Sequence, residues 1–281
     1  MNNFLDAALR NEKQIIADRR HIHKNPEVGF YIPDTADYVR QRLADMGIAS
    51  QLCGGPVDMK TRKSFQAAGY PDMKVSTGVT ATIGSGSPCI LLRAEMDALP
   101  MTEAAGLVDF VSERPGAAHM CGHDTHTAML LGAAAILKEI EPGLKGTVKL
   151  MFQTGEECGC GARLMTEAGI MDNPTVDAAF AIHIDSQTDV GKVVYTPGSN
   201  VRSYGYIHGK DKGQRRSQFN TPGLHRSSVH IQSTLYGPKP PKRKRDRSET
   251  DSGSNRRQGR GRYGVQHNTG YGRNRRRSAD L

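Results

Sequence analysis

At 281 residues the chain is long enough for one large or two modest domains, each with its own core. Hydrophobic residues make up 37%, and the longest near-continuous apolar run, 128–137, is about half a membrane span, which excludes a spanning helix. The net charge of +9 is unevenly placed: 19 Lys/Arg and 5 Asp/Glu follow residue 209, whereas 19 Lys/Arg and 24 Asp/Glu precede it. No basic start leads into an apolar stretch at the N-terminus, and five cysteines without such a leader suit a reducing compartment, so the expected location is cytoplasmic.

In chain order, residues 4–22 carry apolar side chains at helical spacing (Phe4, Leu5, Ala8, Leu9, Ile15, Ile16), and a Pro-containing turn follows at 23–27. Asp34 or Thr35 can cap a second helix that Gly47 stops, and residues 51–76 are a polar, glycine-containing surface excursion. Strands are predicted at 78–83 and 89–94. The alanine- and leucine-rich THTAMLLGAAAILKEI is a helix ended near Pro142-Gly143. GTVKLMFQ is a strand, 162–168 a helix, and VDAAFAIHI and GKVVYTPG are further strands. Strands alternating with helices predict an α/β fold, with a mixed, largely parallel sheet flanked by helices over 1–209. Sites in such sheets collect beyond the carboxyl ends of the strands. Residues 210–281 have almost no aliphatic side chains and predict a disordered basic tail.

The chemistry concentrates at four strand or helix ends. HMCGHDTH (119–126) puts Cys121 and His123 two residues apart, just before the alanine-rich helix. A buried cysteine with satisfied histidines is the bland alternative. After GTVKLMFQ, the adjacent Glu156 and Glu157 lie in glycine-rich backbone; such a pair suits one carboxylate on a metal and one moving protons, or is merely a solvated acidic turn. His183 interrupts an apolar strand. Glu95 and Asp97 end another, where they can orient a ligand histidine from behind. Cysteine, histidine and carboxylate donors together suit zinc or a similar transition metal.

The segments RRHIHKNPEVGF (19–30), LLRAEMDALPMTE (91–103), HMCGHDTHTAMLLGAA (119–134), FQTGEECGCGARLM (152–165) and AIHI (181–184) resemble the M20 metallopeptidases. The similarity is to their amidohydrolase branch of N-acyl-amino-acid, hippurate and aminobenzoyl-glutamate hydrolases. The insertion GGPVDMKTRKSFQAAGYPDMK looks most like the aminobenzoyl-glutamate subgroup. The resemblance implies a zinc-peptidase-like catalytic domain holding two divalent ions, zinc or manganese. It implies Cys121, His123, Glu157 and His183 as metal ligands, and Glu156 as the general base that takes a proton from water and returns it to the leaving amine. Asp97 joins Glu156 as a catalytic residue. His23, His119 and His126 also match family positions, without a ligand role. The implied substrate is a small N-acyl amino acid or dipeptide-like molecule; no membrane is implied. Cys158 and Cys160 depart from the pattern and invite misreading as a metal pair.

Family members continue into a lid and dimerisation domain and return with a last metal-binding histidine, and nothing after Lys210 resembles either. The expectation is therefore an incomplete or frameshifted domain with little activity, and a family-like homodimer is not expected. The competing reading makes the Arg/Gly-rich tail, with Tyr263, Tyr271 and KPPKRKRDR, an RNA-binding arm on a non-catalytic remnant. Nucleic acid is the disfavoured partner.

Overall fold

The computed structural model describes residues 4–104, 106, 108–186, 188–195 and 228–234, with Tyr195 and the last seven as backbone. The described elements are α1 (Phe4–Lys24), α2 (Pro33–Asp45), β1 (Ser50–Leu52), α3 (Met59–Ala67), β2 (Val79–Ser85), β3 (Cys89–Glu95), α4 (His123–Ile140), β4 (Gly146–Gln153), α5 (Gly161–Glu167), β5 (Ala178–Asp185), β6 (Val193–Tyr195) and β7 (Ser228–Thr234). The strands form one mixed sheet in the order β1-β2-β4-β3-β5-β7-β6. Its centre, β4-β3-β5, is parallel, while β2 on one side and β7 on the other join antiparallel. Helix α4 links β3 to β4 and α5 links β4 to β5, so the three parallel strands end at the same edge of the sheet.

β4 is buried along all eight residues, as expected of a central strand covered on both faces. Its Val148, Leu150 and Phe152 pack with Val79, Ala81 and Ile83 of β2, under Val39 and Leu43 of α2 and Leu130, Leu131 and Ala134 of α4. Each valine, leucine, isoleucine or phenylalanine among them contributes about 1.5–3 kcal/mol on burial. α1 lies against α4 where Gly132 lets the helices approach: a Cβ there would stand 2.6 Å from Ile15 Cδ1. An interior helical glycine costs about 1 kcal/mol relative to alanine. The close contact requires it nonetheless.

Three local expectations change. α2 starts on Pro33 without a side-chain cap of its own; instead the Glu27 carboxylate, from the preceding turn, accepts hydrogen bonds from Thr35 N–H (2.7 Å) and Thr35 Oγ1 (2.8 Å). The excursion at 51–76 holds β1 and the capped helix α3, whose Asp58 side chain accepts from Thr61 N–H at 2.9 Å. None of α3 is fully buried, so it has no apolar face to read from sequence; Phe65 anchors it edge-on to Phe30 and Tyr70. The third change is β7, which falls within the segment expected to be an unstructured tail and pairs with β5 through Ile182↔Ile231 and His183↔His230. Its period-two pattern, SVHIQST, is obscured by the charged residues around it. The expected boundary at residue 209, the expected absence of a lid and dimerisation domain and the basic stretches offered as an RNA-binding or frameshifted tail all fall outside the described residues. No described helix is long and apolar enough to cross a membrane.

Candidate metal centre

The parallel strands deliver the chemistry. β3 ends in Glu95, followed by Met96 and Asp97; β4 ends in Gln153, followed by the loop carrying Glu156 and Glu157; β5 carries His183 near its end. α4 points its first turn at the same edge. Gly122, at φ +88°, makes the left-handed turn that swings Cys121 and His123 together, and Ile184 packs so closely that a Cβ on Gly122 would lie 2.2 Å from its Cδ1.

Two trios of donor atoms result, with the atoms of each within 4.8 Å of one another: Cys121, His123 and His183, and His123, Glu156 and Glu157. They share His123 and so form two halves of one centre. Cys121 Sγ is 3.5 Å from His183 Nε2, and His123 Nε2 is 3.8 Å from Glu156 Oε2 and 3.9 Å from Glu157 Oε1. Both histidines are oriented from behind. His123 Nδ1 donates to the Asp97 carbonyl at 2.8 Å and His183 Nδ1 to the Ile184 carbonyl at 2.6 Å, which leaves each Nε2 lone pair facing the cluster. Asp97 also fixes the carboxylate loop. Its two oxygens accept the backbone N–H groups of Glu156 (3.1 Å) and Glu157 (3.0 Å).

The donor set fits a divalent ion. His123 Nε2 and Glu157 Oε1 are buried without a hydrogen-bond partner, which an apolar interior penalises and a cation relieves. A mixed sulfur, nitrogen and carboxylate set is the chemistry of zinc and its neighbours. The electrostatics agree. Burial and the nearby Glu157, Glu95 and Asp97 push the Glu156 carboxyl up to about 7, against the pull of His123. Burial also raises Glu157 and the Cys121 thiol. It lowers His183, which favours the neutral, ligating ring. For His123 burial acts downward, but its interactions with Asp97 and the nearby Cys121 and the charge of Glu95 lift it well above the ordinary imidazole value. A metal ion bound there displaces that proton.

The structure thus brings together Cys121, His123, Glu156, Glu157 and His183, and places Asp97 beneath them as an anchor. Cys158 and Cys160 pack in a buried apolar cluster with Phe30, Val57, Met73 and Leu164, outside the donor trios. Burial raises both thiols, Cys160 to about 11, so they behave as core side chains. His23 bridges Asp124 (2.9 Å) and Glu103 (3.0 Å) behind α4. His119 is buried, and burial lowers it to about 4. A third trio, Glu95, His123 and His126, also lies within 4.8 Å. It offers less to a metal, because both Glu95 oxygens and both His126 nitrogens already have partners, in Arg93, each other and Ile184 N–H. In the sequence His126 is only a histidine one helical turn after His123, and its contacts are legible only in the fold.

A family model described as peptidase family M20/M25/M40 matches residues 91–271, a span that contains the whole cluster and continues beyond residue 209, past the point where the resemblance was expected to stop. IAA-amino acid hydrolase ILR1-like 4 of Arabidopsis thaliana is 38% identical over 216 residues, 76% of this chain and 44% of that protein. N-acetyl-L-cysteine deacetylase of Bacillus subtilis (strain 168) is 39% identical over 184 residues, 65% of this chain and 39% of that one. The crystal structure of the Bacillus subtilis YXEP protein, a dinuclear metal binding peptidase from the M20 family, matches with a TM-score of 0.52 at 34% identity, over 64% of this chain and 45% of that chain. The chain spans less than half the length of these relatives. Strand ends, donor cluster and matched span coincide, and the chain belongs to peptidase family M20/M25/M40.

Proposed function

We propose that this chain carries a two-metal hydrolytic centre for the amide bond of N-acyl amino acids or dipeptide-like substrates, and that it works in the cytoplasm. The observation that carries the reading is the convergence of two buried, unpartnered ligand atoms, His123 Nε2 and Glu157 Oε1, on a ring completed by Cys121, His183 and Glu156. Cys121, His123, Glu157 and His183 hold the metals. Zinc or manganese, when bound, polarises the amide carbonyl and makes water acidic enough to ionise near neutral pH. Glu156 is the proton carrier. Its carboxylate takes a proton from the attacking water and hands it to the departing amine. Asp97 acts by holding Glu156 and Glu157 through their backbones and His123 through its own carbonyl. The names of the relatives, an IAA-amino acid hydrolase and an N-acetyl-L-cysteine deacetylase, support amide-linked acyl amino acids as the substrate class.

The test is amine release from a panel of N-acyl amino acids by the full chain, with and without added manganese or zinc, in wild type and Glu156→Gln. Because the family match runs on to residue 271, past the point from which little activity was expected, the reading expects metal-dependent release that falls about 100-fold or more in the variant, the usual span of general acid–base catalysis. Metal binding should persist in that variant. A metal-loaded wild type without release, or a variant as active as wild type, contradicts it.

A further inference from the structure

The parallel ladder between β3 and β5 stops at Arg93↔Ala181, two residues short of His183. On that side the end of β5 is held by a side chain. Ile184 N–H donates to His126 Nε2 at 3.0 Å. That bond fixes the tautomer, because a nitrogen accepting a hydrogen bond carries no proton. His126 Nδ1 therefore bears the hydrogen and donates it to Glu95 Oε2 at 2.9 Å. The other Glu95 oxygen meets Arg93 Nη1 at 2.7 Å, and Arg93 Nε donates to Gln153 Oε1 at 2.6 Å, on the neighbouring strand. Glu95 and His126 are both almost fully buried, so this relay is shielded from competing water. The His126 ring also stands edge-on to that of His183, with centroids 4.6 Å apart.

We infer that His126 is a positioning residue for the metal centre. Locked in its Nδ1-protonated form by Glu95 and Arg93, it grips the backbone next to His183 and props the His183 ring, so that Nε2 of His183 faces Cys121. The inference rests on the proposed metal centre, but it assigns His126 no contact with metal or substrate. It also accounts for the tight seat of Ile184 against Gly122, since the same grip draws residue 184 onto the start of α4. Glu95 and His126 form a closed orienting pair, and the chemistry of a ligand position stays with His183.

The experiment compares the full chain as wild type, His126→Phe and His126→Gln, each stripped of metal and then titrated with zinc by calorimetry and with cobalt by absorption. Phenylalanine keeps a ring against His183 and removes both hydrogen bonds; glutamine restores an acceptor for Ile184 N–H. Expected are a 10–100-fold loss of metal affinity in His126→Phe, the range for partners that orient ligands, and partial recovery in His126→Gln. The cobalt spectrum of His126→Phe should keep the thiolate charge-transfer band of Cys121 while its ligand-field bands change. Retention of that band shows that the variant is folded. Wild-type affinity and spectrum in His126→Phe overturn the inference while leaving the metal centre standing. Absence of metal binding in wild type overturns both. An independent readout in the metal-free chain is the imidazole nitrogen shift of His126: protonation at Nδ1 supports the relay, and protonation at Nε2 refutes it.

Discussion

Asp97→Asn probes how the carboxylates are held. Asp97 is 1% exposed, and one carboxylate accepts two backbone N–H groups, those of Glu156 and Glu157. Asparagine fits the space, but puts an NH2 group where one oxygen stood, donor facing donor. Hydrogen bonds to a charged acceptor are worth about 1.5–3 kcal/mol, and a neutral one about 0.5–1.5. One bond is lost outright and the other weakened, for a cost of about 3 kcal/mol. Removing a buried charge returns part of that, leaving about 2 kcal/mol. Urea slopes of about 1–3 kcal/mol/M turn this into a midpoint lowered by about 1 M, read by circular dichroism on metal-free protein. The variant should also bind zinc about 10–100-fold more weakly, because the loop carrying Glu157 loses its anchor. An unchanged midpoint together with unchanged zinc affinity would refute the anchoring role.

Gly122→Ala places a Cβ at φ +88° and 2.2 Å from Ile184 Cδ1. Left-handed strain of about 1–2 kcal/mol and overpacking of about 1–3 kcal/mol predict a loss of about 2–5 kcal/mol in the same denaturation experiment; a loss below 1 kcal/mol contradicts the geometry. His23 supplies a pH dependence. Burial acts to lower its pKa, but hydrogen bonds and charges from Asp124 and Glu103 outweigh it and raise the value. The folded state then holds the proton more tightly than the unfolded one. Its stabilisation is complete below the unfolded value, about 6.5, and is lost as the pH rises through the folded value. The stability gap between wild type and His23→Gln should shrink as pH is raised from 6, and a gap that widens shows the sign to be wrong.

Much of this arrangement is legible in the sequence because strand ends in an α/β sheet are where functional groups converge. The strands CILLRA and GTVKLMFQ and the helix beginning near HMCGHDTH show strong periodicity, and their ends carry Asp97, Glu156, Glu157 and Cys121. What escapes the sequence has identifiable causes. α3 buries none of its residues, so no amphipathic stripe marks it. The capping of α2 by Glu27 is a contact across a turn, and propensity favours the nearer Asp34 and Thr35. The strand pattern of β7 is brief and sits among charges. The relay from Arg93 through Glu95 and His126 to Ile184 joins three elements separated in sequence, and each residue alone looks like an ordinary buried polar group. Cys158 and Cys160 show the converse. A two-residue cysteine spacing beside a metal centre resembles a ligand pair, yet the fold turns both into an apolar cluster.

The central claim is that Cys121, His123, Glu157 and His183 are the ligands of a metal centre. Its most direct test is metal content and zinc affinity of the purified full chain, wild type against Cys121→Ser, with the cobalt-substituted spectrum recorded for both. The account predicts up to two divalent ions per wild-type chain, a thiolate-to-cobalt band that vanishes in Cys121→Ser, and a matching fall in affinity. A wild-type chain that binds no divalent ion, or a serine variant that binds zinc as tightly as wild type, contradicts it.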